Sequence, residues 1–191
     1  MNNTIYDKIE KLAYEIINYN EIKDYEIPDI DLYMDQVTSF MDSKLSDFKR
    51  NKDDIILSKT MINNYVKDKV VPSPNKKKYS KEHMMVLIWI YHLKQTLSIN
   101  DIGKLMNFIY EKEKNNIDYT EIYNIFLELQ KKSSKSFKMN LDDMFEAIKS
   151  NSKNFNDNEK LLLLVLELIL NANLQKRLAE KIIDNCFSDS K

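Results

Sequence analysis

The stretch that decides the fold runs from position 58 to position 80: Ser58-Lys59-Thr60-Met61-Ile62-Asn63-Asn64-Tyr65-Val66-Lys67-Asp68-Lys69-Val70-Val71-Pro72-Ser73-Pro74-Asn75-Lys76-Lys77-Lys78-Tyr79-Ser80. Ser58 is well placed to cap a short helix over about 59–68. Pro72 and Pro74 forbid helix across 70–79, because proline lacks the N–H and its ring crowds the preceding turn. Two short apolar ends, Val70-Val71 and Tyr79, surround the basic tip Lys76-Lys77-Lys78, which suggests a small β-hairpin, or wing. Ser80 then reads as the N-cap of another helix, with Glu82 and His83 in its first turn.

Outward from this segment the pattern is helical. Residues 2–22 read as an amphipathic helix with Ile5, Ile9, Leu12, Ile16 and Tyr19 at three- and four-residue steps. Residues 23–29, with Pro28 and several acids, read as a linker. A helix over 30–48 carries Leu32, Tyr33, Val37, Phe40, Met41, Leu45 and Phe48, capped by Asp29 or Asp31. Residues 49–54 read as a polar loop. The helix from Ser80 runs to about Thr96 and buries Trp89. Another starts at Ser98, with Asp101 three positions on as an acidic variant of the capping box, and runs to about Glu113. Three further helices are predicted at about 117–131, 140–150 and 157–187. The last is apolar nearly all round between 161 and 170, which suggests burial in a bundle or a dimer interface.

Composition supports an all-α class. The 191-residue chain has one glycine, Gly103, and three prolines. Glycine supplies the positive φ angles of tight turns and phosphate loops, so neither a Walker loop nor a dinucleotide fingerprint can be built, and a sheet-rich fold is disfavoured. Hydrophobic residues make up 43% and charged residues 31%, a globular profile. One cysteine, Cys186, cannot form an internal disulfide, so a reducing compartment is expected. The N-terminus lacks the basic and apolar regions of a signal peptide, and no apolar run is long enough to span a bilayer. A cytoplasmic protein with no membrane partner is the expectation.

The net charge of −1 conceals an asymmetry. Residues 1–48 hold four lysines against eleven acids, whereas residues 49–81 hold ten basic residues against Asp53, Asp54 and Asp68. A basic segment inside a near-neutral protein is a candidate for phosphate contact; a lysine-rich solvated surface is the alternative.

Taken as one unit, residues 58–110 resemble the winged-helix domain of MerR-type regulators. Thr60–Pro72 resembles the end of a recognition helix and the apolar pair and proline that open the wing. Lys77–His83 resembles the end of the wing and the next helix start, and Leu97–Ile102 the short turn into a fourth helix. The chain also resembles a small bacterial family known only as domain of unknown function 1836. That likeness is carried by residues 27–37, 57–65 and 79–102, and covers roughly residues 27–110. Together the resemblances imply a DNA-binding regulator. Where MerR-type recognition helices usually carry Arg-Tyr-Tyr, this chain has Asn63-Asn64-Tyr65. Lys69 takes the place of the usual glycine before the apolar pair, at a cost of about 1 kcal/mol if its φ is positive. The loop at about 49–57 is longer than a tight helix-turn-helix has.

The residue chemistry fits that implication. Asparagine bonds bidentately to adenine, so Asn63 and Asn64 are candidates for base readout. Ser58, Lys59, Thr60 and the helix N-terminus can hold a phosphate, and Lys67 can contact another. Tyr65 either donates to a phosphate or packs in the core. Lys76, Lys77 and Lys78, with Tyr79 beside them, would lie along the backbone or in the minor groove. No cofactor is expected, and His83 and His92, nine residues apart without a second cysteine, make no zinc site. No catalytic triad or dyad can be assembled from them, so an enzyme is not expected.

These readings predict an all-α protein with a MerR-like winged helix-turn-helix and a C-terminal helical bundle. Residues 1–28 would form an N-terminal helix and linker, 29–113 the DNA-binding domain, and 114–191 a dimerisation or effector region. The expected partners are double-stranded DNA and a second copy of the chain, with a small-molecule effector left open. The competing reading is a helical protein-interaction adaptor that reuses the same scaffold without DNA.

Overall fold

The computed structural model describes residues 4–112 and 117–187. The chain is mostly helical. Seven helices are described: α1 (Ile5–Ile17), α2 (Met34–Lys44), α3 (Lys59–Lys67), α4 (Lys81–Leu93), α5 (Ile99–Lys112), α6 (Tyr119–Asn151) and α7 (Asp157–Cys186). Two strands, β1 (Leu32–Tyr33) and β2 (Lys78–Tyr79), pair antiparallel, with Leu32 opposite Tyr79 and Tyr33 opposite Lys78. The predicted end of α5 at Glu113 lies outside the described residues. Among the described residues no helix is long and apolar enough to cross a membrane.

The fold divides into two compact units. One comprises residues 1–19 and 126–177. Its core is built from Leu141, Met144, Phe145 and Ile148 of α6 with Leu164 of α7, and Tyr6, Ile9 and Ala13 of α1 pack against it. The Tyr6 ring meets Phe145 edge-on at 5.0 Å, and the Lys149 ammonium lies 4.7 Å from the Tyr6 ring centre. The inner face of α1 is therefore Tyr6-Ile9-Ala13, while Leu12 and Ile16 of the predicted stripe are exposed. Thr4 caps α1, its hydroxyl accepting from the Asp7 N–H while the Asp7 carboxylate accepts from the Thr4 N–H.

The other unit comprises residues 20–125 and 178–191 and is organised around α4. Eight consecutive α4 residues, Met84 to Tyr91, are buried. A helix apolar on every face must be covered on every face. The ladder strand β2 lies against it. Phe48 meets Tyr91 and His92 edge-on at 5.9 and 5.0 Å, and Trp89 stacks on Tyr119 at the start of α6, ring centres 6.4 Å apart. The Lys94 ammonium donates to the Ile56 carbonyl at 2.7 Å, tying the end of α4 to the segment before α3. The Tyr123 hydroxyl donates to the Ile22 carbonyl at 2.8 Å. Ile22 and Ile27 are buried too, so the segment expected to be a linker is anchored in the core, with a 3-10 turn at Asp24–Glu26.

Three local expectations change. The cap of α2 is Tyr33, whose N–H donates to the Gln36 side chain at 2.9 Å, and neither Asp29 nor Asp31. Pairing of Leu32-Tyr33 with β2 keeps that segment extended, so the helix starts later than its apolar pattern. The hairpin expected between Val70-Val71 and Tyr79 does not form. Val70 and Val71 instead donate their N–H groups to the Tyr65 carbonyl at 2.8 and 3.1 Å, closing α3, and β2 takes its partner far upstream, at Leu32-Tyr33. The helices expected at 117–131 and 140–150 are one continuous helix, α6. The polar run Lys131–Ser136 between them has no proline or glycine to stop the helix.

His92 is enclosed by its neighbours, and the cost of desolvating its charged form pushes its pKa down to about 4. The unfolded chain binds that proton near pH 6.5, so the stability held above that pH falls as pH drops toward 4. Denaturant unfolding at stepped pH should show this decline, worth at most about 3 kcal/mol. A His92→Phe variant, which keeps a ring against Phe48, should lose the part of the decline between pH 6.5 and 4.5.

Candidate nucleic-acid interface

Helix α3 presents two chemically distinct faces. Ile62 and Tyr65 are buried and Met61 and Val66 half-buried, while Lys59, Thr60, Asn63, Asn64 and Lys67 are exposed. The exposed positions alternate steps of one and three, so five of the predicted contact residues share a polar face. Ser58 caps α3, its hydroxyl accepting from the Met61 N–H at 3.1 Å. That oxygen accepts from its own helix, and the O–H proton is the part of Ser58 that a phosphate would use. The Lys59 ammonium forms an ion pair with Asp35 of α2.

Two tyrosines leave the candidate set. Tyr79 is 3% exposed and Tyr65 9% exposed, and desolvation raises both phenol pKa values. Tyr79 sits in the ladder opposite Leu32 with its ring 5.6 Å from His83. Of the two roles open for Tyr65, core packing is the one its burial fits; the expected contact by Tyr79 is corrected. Local sequence could not have told this, because the strand that covers Tyr79 lies far upstream.

The basic tip is a tight turn. The Lys78 N–H donates to the Asn75 carbonyl at 2.9 Å, and Lys76 and Lys77 between them have φ of 48° and 66°. Two successive positive φ angles define a type I′ turn, normally built on Asn-Gly. Lys69 also has a positive φ, 58°, as the αL residue closing α3. The cost anticipated for lysine at this position is therefore incurred. All three non-glycine positive-φ residues among the described residues are lysines, while Gly103 lies inside α5 at no such angle. Lys76 and Lys77 are exposed. Lys78 is half-buried, its ammonium 5.3 Å from the Tyr33 ring centre. Tyr33 and Asp35, neither anticipated, thus border the surface.

His83 belongs to the scaffold. Its Nδ1 accepts from the Ser80 N–H at 3.1 Å at the start of α4, and desolvation lowers its pKa. The loop before α3 is pinned by Asp54, whose carboxylate accepts from the Asn51 and Arg50 N–H groups at 2.8 and 3.0 Å. The Tyr110 hydroxyl of α5 donates to the Val70 carbonyl at 2.7 Å, holding the turn after α3.

A comparison with known protein families matches residues 22–126 to the one described as "Domain of unknown function (DUF1836)". No curated protein matches the chain, and no solved structure does. The match covers the helix α3, the basic turn and all of α4.

If the lysines of the turn are there for charge and not for folding, a better turn sequence will stabilise the protein. Lys76→Asn/Lys77→Gly should raise unfolding free energy by about 0.5–1 kcal/mol, measured by urea denaturation. An unchanged or lowered midpoint would mean that the lysines make stabilising contacts in the turn.

Proposed function

The chain belongs to this family of unknown function, and we propose that it is a DNA-binding transcriptional regulator acting in the cytoplasm, built on a MerR-like winged helix-turn-helix. Under this reading α2 and α3 are the helix pair, the turn at 75–78 is a reduced wing, and residues 29–113 are the DNA-binding domain. The observation that carries it is the exposed face of α3. Asn63 and Asn64 sit between Lys59 and Lys67 on a helix whose opposite face is buried. Asparagine pairs bidentately with adenine in the major groove, and the flanking lysines suit phosphates on either side. The strained lysines of the turn add to the case, since strain is retained where a side chain is wanted for another purpose.

No catalytic role is proposed. A small-molecule effector, should the regulator respond to one, would have room in an open cavity of about 650 Å³ lined by Glu10, Tyr14 and Ile17 of α1 and by Lys138, Leu141 and Asp142 of α6. Binding as a symmetric dimer would suit a palindromic operator. The adaptor reading is favoured by one observation, the exposed Leu12, Tyr14 and Ile16 of α1.

The test is binding of the full-length protein to duplex DNA from upstream of its own gene, against random duplex, at about 50 and 200 mM salt. Selective binding that weakens steeply with salt is expected. Lys76→Ala/Lys77→Ala should flatten the log–log salt slope by about 1.8 if both lysines neutralise phosphates. Asn63→Ala should cost about 1–3 kcal/mol on the selected sequence and little on random DNA. Absence of binding at both salt concentrations sinks the reading in favour of the adaptor.

A further inference from the structure

Two side-chain contacts lead from the polar face of α3 to the basic turn. The Lys59 ammonium of α3 pairs with Asp35 at the start of α2. Two residues upstream of Asp35, Tyr33 of β1 carries the Lys78 ammonium 5.3 Å from its ring centre. Tyr33 and Lys78 are opposite each other in the ladder, and opposed residues of a strand pair share one face of the sheet. Leu32 is buried, so the alternation of the strand sends Tyr33 outward, where it is 55% exposed.

Folding makes no visible use of the Tyr33 hydroxyl. The ladder uses the backbone of Tyr33, and its N–H serves α2 by donating to the Gln36 side chain. The ring supports the Lys78 ammonium, which a phenylalanine ring would do as well. The phenol O–H itself makes no hydrogen bond with any described residue. The charges around it favour an anion. Asp35 is offset by Lys59, whereas Lys76, Lys77 and Lys78 have no acidic partner among the described residues. Lys78 is half-buried against the ring, which limits where its ammonium can go. A phenol donor and an ammonium with three N–H donors are thus held side by side.

We propose that Tyr33 and Lys78 form a clamp for one phosphate of the DNA backbone. The phenol O–H donates to one oxygen of that phosphate and the Lys78 ammonium to the other. The clamp rests on the DNA reading and adds to it a neutral contact at a residue between α3 and the turn. Because it touches phosphate alone, it fixes where the duplex lies and carries no sequence information.

Titration of the full-length protein with its upstream duplex and with random duplex, at about 50 and 200 mM salt, tests the clamp. Tyr33→Phe keeps the ring, the ladder and every charge, so its urea midpoint should match that of the wild type. It should weaken both duplexes by the same factor, about three- to tenfold, and leave the log–log salt slope unchanged. Lys78→Ala should flatten that slope by about 0.9. In the Lys78→Ala background Tyr33→Phe should cost clearly less, because the two donors share one phosphate. A Tyr33→Phe protein that binds as tightly as the wild type overturns the clamp and leaves the DNA reading standing. A loss confined to the upstream duplex also overturns it, since Tyr33 would then read bases. Equal costs in the two backgrounds overturn the sharing of one phosphate, and the clamp with it. A wild type that binds neither duplex overturns the DNA reading and the clamp together.

Discussion

Burial of α4 on all sides is the constraint that shapes the second unit. A run of eight apolar residues has no face to offer water, so several elements must converge on it. The strand carrying Tyr79 runs directly into α4, separated from it only by Ser80. Phe48 closes over Tyr91 and His92, and Trp89 reaches the first turn of α6. Two polar contacts hold the margins of this burial, the Lys94 ammonium on the Ile56 carbonyl and the Ser80 N–H on His83 Nδ1, while the buried His83 Nε2 has no hydrogen-bond partner. Both histidines are held toward their neutral forms because solvent is excluded around them.

Once α4 is covered, α3 has only one face left to turn outward. Ile62 and Tyr65 go inward, and the asparagines and lysines are left outside. The ends of α3 are fixed by its own backbone. Ser58 takes the Met61 N–H at the start, and Lys69 turns left-handed at the end so that Val70 and Val71 can reach the Tyr65 carbonyl. The chain places its single glycine in the interior of α5 and uses lysine at each described turn that glycine would ease. In the stability of the scaffold these choices are costs of about 1 kcal/mol each. They leave a cation at positions where the usual turn former would leave none.

The helices and several of their caps were legible in the sequence because both are local signals. Ser58, Ser80 and Ser98 stand at the starts that their spacing predicts; at Ser98 the hydroxyl accepts from the Asp101 N–H and donates to the Asp101 carboxylate, in place of the reciprocal backbone bond of a capping box. The polar face of α3 was legible for the same reason, since one period of a helix sorts its residues. What failed was non-local. Tyr79 looked like part of a basic tip because nothing nearby announces Leu32 as its partner. Val70 and Val71 looked like a strand because their role in closing α3 depends on a left-handed lysine that no propensity favours. The interior of α6 looked like a break because Lys131 to Ser136 carry no apolar stripe, yet a helix needs no stripe to continue where nothing interrupts it.

The two-residue ladder also sets how the α3 surface comes into being. Joining Leu32 to Tyr79 closes a loop of more than forty residues that contains α2, α3 and the basic turn. Closing such a loop costs about 3 kcal/mol of chain entropy before any contact is gained. The placing of Asn63, Asn64 and the turn on one surface therefore depends on a long-range closure. An excised peptide spanning 58–80 would keep the local bonds of α3 and the turn but lose the ladder that fixes one against the other. The surface exists only where the distant strand at 32–33 has closed over Tyr79.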